Sequence, residues 1–266
     1  MQIRSIRRIV ADGNHNAFTG AQCFRDAIYV AYRQGDGHVC EQGKLVVIRS
    51  RDSGHRFDHV HVARGAGDTR DAHLYTVDDR RLHLVGFEAL KGKGEEVELH
   101  SGTSWTDNGL NWAPWTRYEG TADYVMWRPR FFRGTHYCAG YRVNSTGGGE
   151  VAWFESADGL RWRRRRVLRE GTDQPSECFP DFKPDGTCVM IVRRDNADHR
   201  PLLMTAPPPY DKWQTIELDV RLSGPALWLT DERIWISGRW FAAPGVAHVG
   251  VFEVVNGKPE LRVVLP

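Results

Sequence analysis

Several features are scarce in this chain of 266 residues, and each shortage removes a class of protein. There is no run of roughly 18 consecutive apolar residues, so no membrane-spanning helix is expected. The opening stretch Met1-Gln2-Ile3-Arg4-Ser5-Ile6-Arg7-Arg8 lacks the apolar segment of a secretion signal, and a cytoplasmic location is the expectation. Surplus charge is also missing: 36 Lys and Arg stand against 34 Asp and Glu, a formal balance of +2. A chain this close to neutrality is not expected to have nucleic acid or an anionic membrane as its main partner. The five cysteines, Cys23, Cys40, Cys138, Cys178 and Cys188, are odd in number and show no CxxC spacing. That pattern suggests neither a disulfide framework nor a zinc site, so buried thiols, no metal and no cofactor are expected. No long amphipathic helical pattern interrupts the chain.

Apolar residues make up 41% and aromatics 11%, with ten Trp, so a sizeable core is expected, with repeated aromatic positions in it or on a binding surface. The length fits one large all-β domain spanning 1–266. A repeat is visible in the turns. Ser156-Ala157-Asp158-Gly159-Leu160-Arg161-Trp162 matches Thr106-Asp107-Asn108-Gly109-Leu110-Asn111-Trp112 in frame, and Ser50-Arg51-Asp52-Ser53-Gly54-His55-Arg56-Phe57 has one residue inserted. A degenerate copy near residue 206 ends in Trp213, and Asn256-Gly257 marks a fifth. The hydroxyl and the Asp or Asn can hydrogen-bond their own turn, Gly takes the left-handed position, and the closing aromatic packs back on the sheet. This is a fold-building device rather than a catalytic one.

Between these turns lies a second repeated unit of strand, tight turn and strand. Residues 17–24 turn at Arg25-Asp26 into 27–33, and 71–77 turn at Asp78-Asp79 into 82–87. Residues 128–132 turn at Arg133-Gly134 into 135–142, and 178–183 turn at Pro184-Asp185-Gly186 into 187–194. Residues 224–229 turn at Asp231-Glu232 into 234–239. Two such strands plus two joined by the turn motif make a four-stranded blade, and about fifty residues per period predict a five-bladed β-propeller, with six blades as the alternative. The segment 7–10 is expected either to complete the last blade or to add an outer strand. The basic run 161–166 is expected to be a solvated strand face.

The alternation of strand connections between two faces separates scaffold from site. The turn motifs join third and fourth strands on one face. The starts of first strands and the ends of second strands share the other. That rim is expected to carry His15, Arg33, Asp36, His38, Arg70, Asp71, Trp127, Arg128, Glu177, Arg194 and Arg239. Repeated arginines there either pair with carboxylates to hold blades together or form a pocket for an anion. Asp71 and Glu177 are the carboxylates best placed for chemistry, because glycoside cleavage commonly needs an acid and a base or nucleophile. An interblade ion pair is the equal alternative for each. His15 and His38 are candidates to orient a substrate or carry a proton, or are plain hydrogen-bonded loop residues. Trp127 is either a stacking surface for a ring or a buried aromatic.

These turns, together with Arg33-Gln34-Gly35-Asp36-Gly37-His38, Thr69-Arg70-Asp71, Phe179-Pro180-Asp181-Phe182-Lys183-Pro184-Asp185-Gly186, Arg193-Arg194-Asp195 and Ser223-Gly224-Pro225-Ala226-Leu227, resemble bacterial sialidase-like proteins with Asp-box (BNR) repeats over nearly the whole chain. The resemblance implies rim arginines such as Arg194 and Arg239 on a substrate carboxylate, Glu177 as the rim glutamate, and Asp36 or Asp71 as acid/base. True sialidases have six blades, an Arg-Ile-Pro motif and a Tyr nucleophile. Here the equivalent strand reads Ala17-Phe18-Thr19-Gly20, and the sequence shows no sixth repeat. Arg70-Asp71 and Glu177-Cys178 are also similar to motifs of five-bladed invertase-like furanosidases, which implies a transition-state-stabilising Asp and a general-acid Glu. The Asn-Asp-Pro-Asn nucleophile motif is replaced by Asn14-His15-Asn16. The expected function is therefore a glycosidase-like enzyme acting on a small, anionic, sugar-containing substrate. The alternatives are a non-hydrolytic carbohydrate- or anion-binding propeller and a propeller recruited to small-molecule biosynthesis by cyclisation or elimination.

Overall fold

The computed structural model describes residues 2–91, 97–143, 148–196, 198–230 and 232–265. Asp231 of the expected fifth hairpin and Pro266 lie outside them. The described chain is all β, a five-bladed β-propeller whose blades are four-stranded antiparallel sheets. The first blade runs β1 (His15–Phe24), β2 (Ala27–Gly35), β3 (Lys44–Ser50) and β4 (Asp58–Ala63). The second takes β5 (Asp68–Val77), β6 (Arg81–Lys91), β7 (Val97–Thr106) and the short β8 (Thr116–Arg117). The third comprises β9 (Val125–Phe132), β10 (Thr135–Val143), β11 (Gly149–Ser156) and β12 (Arg163–Gly171). The fourth has β13 (Pro175–Phe182), β14 (Cys188–Arg194), β15 (Leu202–Ala206) and β16 (Gln214–Glu217), and the fifth β17 (Leu222–Leu229), β18 (Ile234–Ala243), β19 (Val246–Val255) and β20 (Lys258–Leu265). In each blade the strands pair in chain order.

The segment 7–10 forms no strand, which corrects both roles expected of it. The reason is local: β20 already pairs along β19 from Lys258 to Leu265 and supplies the fourth strand of the last blade. Val10 packs instead against Tyr32, Val46 and Ile48.

Two compact units divide the chain: residues 7–138 with 154–164, and residues 1–6 with 139–153 and 165–266. In the first, Tyr29, Leu45, Val47, Ala72, Leu74, Leu82 and Leu84 form a core on which Trp112 and Trp115 pack. In the second, Val189, Ile191, Leu203, Leu222, Leu227 and Ile236 do the same. Alternating strand residues supply these side chains, as a pleated sheet requires. Cys138, Cys178 and Cys188 are buried.

The turns between third and fourth strands explain the recurring motif. The Ser50, Thr106 and Ser156 hydroxyls accept the N–H of Gly54, Gly109 and Gly159 at 2.8, 2.9 and 2.9 Å. Asn108 Oδ1 accepts the N–H of Leu110 and Asn111, and Asp158 Oδ1 those of Leu160 and Arg161. Gly109 has φ +76°, and a Cβ there would lie 1.8 Å from the Tyr29 hydroxyl, so both conformation and space demand glycine. Trp162 closes its turn and is buried, while Trp213 meets Trp153 edge-on at 5.4 Å between centroids. Arg163, Arg164 and Arg165 of the basic run are exposed.

Four histidines of the first unit are held neutral, and burial pushes the His73 pKa well below its ordinary value. Burial lowers His61 to about 4, His83 to about 3 and His136 to about 4, from an ordinary 6.5. The unfolded chain therefore binds more protons than the folded one between pH 6.5 and about 4. The stability these sites contribute is complete above pH 6.5 and is lost as pH falls through that window. Thermal melts followed by circular dichroism should show Tm falling from pH 6.5 to 4, and His136→Gln should flatten the fall. An equally steep fall in that variant would remove His136 from the account.

Candidate functional site

The first strand of a blade is not a plain strand. Pairing with the second strand slips between Ala17 and Gly20, Arg70 and His73, Pro175 and Cys178, and Ser223 and Ala226. A β-bulge thus sits at one position in four blades. Aligning on it places Phe18, Asp71, Ser176 and Gly224 at equivalent sites. Phe18, Asp71 and Gly224 have φ of +53°, +59° and +58°, and Arg128 in the third blade has +50°. A left-handed non-glycine residue costs about 1–3 kcal/mol and re-aims its side chain, which is why such bulges gather at functional sites. Asp71 and Glu177 were expected at strand entries. The strands begin earlier, at Asp68 and Pro175, so both carboxylates lie in the bulge instead.

In the first unit the dominant feature is a buried ion pair. Arg33 donates to Asp68 Oδ1 from Nε at 3.0 Å and from Nη2 at 2.7 Å, and the side chains are 0% and 6% exposed. Arg33 Nη1 donates to the Gly37 carbonyl at 2.8 Å, and Cys40 N donates to Asp68 Oδ2 at 3.1 Å. The pair therefore fastens the loop after β2 to the start of β5. A Cβ on Gly43 would sit 2.0 Å from Asp68 Oδ1, so glycine is needed for the loop to close over the carboxylate. Arg33 thus has the structural of the two roles expected for it.

Around this pair lie His15, His38, Arg70 and Phe18. Arg70 Nη2 reaches the His38 carbonyl at 3.2 Å and its Nε2 at 3.3 Å, and the guanidinium lies 5.3 Å from the Phe18 ring centre. His38 also meets the rings of His15 and Phe18, at 5.8 and 5.3 Å between centroids. Desolvation, then the charges of Arg70 and His15, lower the His38 pKa. Arg70 Nε, His15 Nδ1 and Asn16 Oδ1 are buried without a hydrogen-bond partner among the described residues. Asp36 is exposed on the loop after β2, and Arg128 is half-buried. Trp127 is buried, 5% exposed, and packs edge-on to His73 at 4.4 Å between centroids, so its ring is a packing element rather than a stacking surface.

In the second unit Glu177 Oε1 accepts Arg193 Nη1 at 2.7 Å, and Arg193 also pairs with Asp195 at 2.7 Å. Asp195 lies 3.6 Å from His199 Nδ1, and the His199 ring stacks on Phe241. Burial opposes the Arg193 charge, but Glu177 and Asp195 outweigh it and raise the Arg193 pKa. Arg194 faces away from this group. It pairs with Asp173 at 3.2 Å, with Glu217, and donates to the Arg200 carbonyl at 2.8 Å. Arg239, at the position opposite the bulge that Arg33 and Arg194 fill in their blades, is exposed and makes no ion pair among the described residues. Sequence reasoning missed Asp68, Asp173 and the choice of Arg193 over Arg194. No local signal marks them: only the bulge-aligned register of the structure puts Asp68 and Asp173 at equivalent places, two residues before Arg70 and Pro175.

No protein-family profile matches the chain, and no curated protein matches it in sequence. Solved structures do match in fold. A Dyadobacter fermentans protein of unknown function superposes with a TM-score of 0.80 at 15% identity, over 96% of this chain and 84% of that one. A Trypanosoma rangeli sialidase in complex with sialic acid gives 0.68 at 12% identity, over 92% of this chain and 48% of that one. A Bombyx mori GH32 β-fructofuranosidase in complex with sucrose gives 0.62 at 14% identity, over 94% and 64%. The chain thus spans about half the length of the sialidase and under two thirds of the fructofuranosidase, and at these identities the likeness is one of fold.

The charged sites make a measurable contrast. Removing one partner of a buried pair leaves an uncompensated charge, so Asp68→Asn should cost about 3–5 kcal/mol in urea denaturation. Arg239→Ala should stay within about 0.5 kcal/mol of the parent. Equal effects of the two substitutions would show that the buried pair carries no special share of stability.

Proposed function

We propose that this protein is a glycosidase-like propeller enzyme acting on a small, anionic, sugar-containing substrate. Asp71 and Glu177 are its acid–base carboxylates, and Asp36 is a further candidate for the acid/base. His15, His38, Arg70, Arg128 and Arg239 are its binding groups. The observation that carries this reading is the repeated bulge, which sets Asp71 and Arg128 in left-handed conformations and Glu177 beside the same position in the fourth blade. Spending strain at equivalent sites makes sense where side chains must be aimed. The fold likeness to a sialidase and to a fructofuranosidase supports the same class of chemistry.

The roles follow from local electrostatics. Glu177 Oε1 is ion-paired with Arg193, a placement that suits a base, a nucleophile or a stabiliser of developing positive charge. We assign the acid role to Asp71, which lies buried in the bulge of its strand. An anionic substrate is supported by the exposed Arg239 and by Arg70, whose Nε approaches Asp68 no closer than 3.9 Å.

A panel of aryl glycosides and sialosides, assayed with the parent, Glu177→Gln and Asp71→Asn, tests this. Each substitution should lower kcat/KM about 10²–10⁴-fold with the fold retained. Unchanged turnover in both variants would sink the assignment. Binding of the sugar acids with no product by mass spectrometry would instead support a non-hydrolytic anion-binding propeller, the reading that the arginines alone favour.

A further inference from the structure

A cavity of the first unit lies at the other end of the strands from the bulges. It encloses about 500 Å³ where the turns of the second and third blades meet. Val77, on its wall, is six residues along β5 from Asp71, or about 20 Å at the usual rise of a strand. Its volume falls within the about 300–1,000 Å³ typical of small-molecule sites.

Its walls have a consistent chemistry. Arg81 donates to Asp107 from Nε at 2.7 Å and Nη2 at 3.5 Å, which fixes both side chains at the rim. Asp158 is held by the N–H groups of Leu160 and Arg161 and by the Arg161 side chain at 2.9 Å. His136 is 4% exposed, and its Nδ1 lies 3.1 Å from the buried Tyr75 hydroxyl. Burial holds that imidazole neutral, and its Nε2 has no hydrogen-bond partner among the described residues. Phe131 lies edge-on to the same ring at 4.9 Å between centroids and supplies an apolar wall.

We infer that this cavity binds an uncharged saccharide, at a site separate from the bulge-lined one. The lining sets carboxylates against guanidinium groups and disfavours a net charge of either sign. Asp107 occupies the Arg81 fork and Asp78 accepts from Arg80 Nη2 at 2.9 Å, so each guanidinium of the lining already has a carboxylate, and an anion also meets Asp107 and Asp158. A hydroxyl both donates and accepts. Sugar hydroxyls can therefore meet the imidazole, the carboxylates and the guanidinium groups of this lining alike. The carbon-bound hydrogens of a sugar ring match the Phe131 wall. Polar groups of both signs beside one apolar wall suit a polyhydroxylated, uncharged ligand.

Isothermal titration of the full chain with glucose, galactose, fructose, maltose, lactose and inorganic phosphate tests the inference. At least one neutral sugar should bind with millimolar or tighter Kd, and phosphate should not. Ala157→Trp, on an exposed turn position lining the cavity, should weaken that binding at least ten-fold while leaving turnover of any glycoside unchanged. Should that variant unfold in a thermal melt, Asp107→Asn serves the same purpose and should weaken binding several-fold. The inference is overturned if no neutral sugar binds, if phosphate binds in preference, or if sugar binding survives both substitutions. None of those results bears on Asp71 and Glu177, so the two proposals stand or fall apart.

Discussion

The buried pair between Arg33 and Asp68 is the constraint around which the first unit is arranged. Two full charges leave water there, and only close geometry with further hydrogen bonds to both groups compensates for their desolvation. Arg33 spends three donors and Asp68 both oxygens. The consequences extend outward. The loop after β2 must fold back to offer the Gly37 carbonyl and the Cys40 N–H, and Thr69 N must meet the Gly43 carbonyl at 3.1 Å. Arg70, two residues after Asp68, is then left to lie against Phe18 and His38. A structural pair thus sets the position of groups proposed to touch substrate.

The fourth blade uses the same positions differently. Asp173 is the counterpart of Asp68, yet its partners are Arg194 of its own blade and Arg169 at 2.5 Å. Burial would raise the Asp173 pKa, but the hydrogen bonds and charges of Arg169 and Arg194 win and lower it. Glu88 follows the same balance: burial raises it, while Arg117, the Ala66 N–H and Trp115 together lower it. Once Arg194 is committed, Arg193 is the arginine left beside Glu177. The fifth blade has Arg239 at the equivalent position and no carboxylate paired with it among the described residues. Repetition of backbone therefore supplies places, and divergence of side chains decides which are scaffold and which are available.

Much of this was legible beforehand. The turns at Ser50, Thr106 and Ser156 announced themselves because their hydrogen bonds are local, made within five residues, and such chemistry is written in adjacent letters. The hairpins and the count of five blades followed from the spacing of those turns. The bulge was not legible. It depends on how two strands slip past each other, and Phe18, Asp71 and Arg128 share no residue type that would betray a common left-handed backbone.

The sequence by itself determined the all-β repeat, the blade count and the end of the strands on which the motif turns lie, because short-range hydrogen bonding and period-two patterning specify them. Only the tertiary structure decided which arginine meets which carboxylate. Arg33 and Asp68 are 35 residues apart, Arg194 and Glu217 are 23 apart, and nothing in the local chain distinguishes Arg193 from Arg194. Adjacent strand residues point to opposite faces of a sheet, so one of that pair turns to Glu177 and the other to Asp173. Burial then made the first arginine of the series a buttress and left the last exposed.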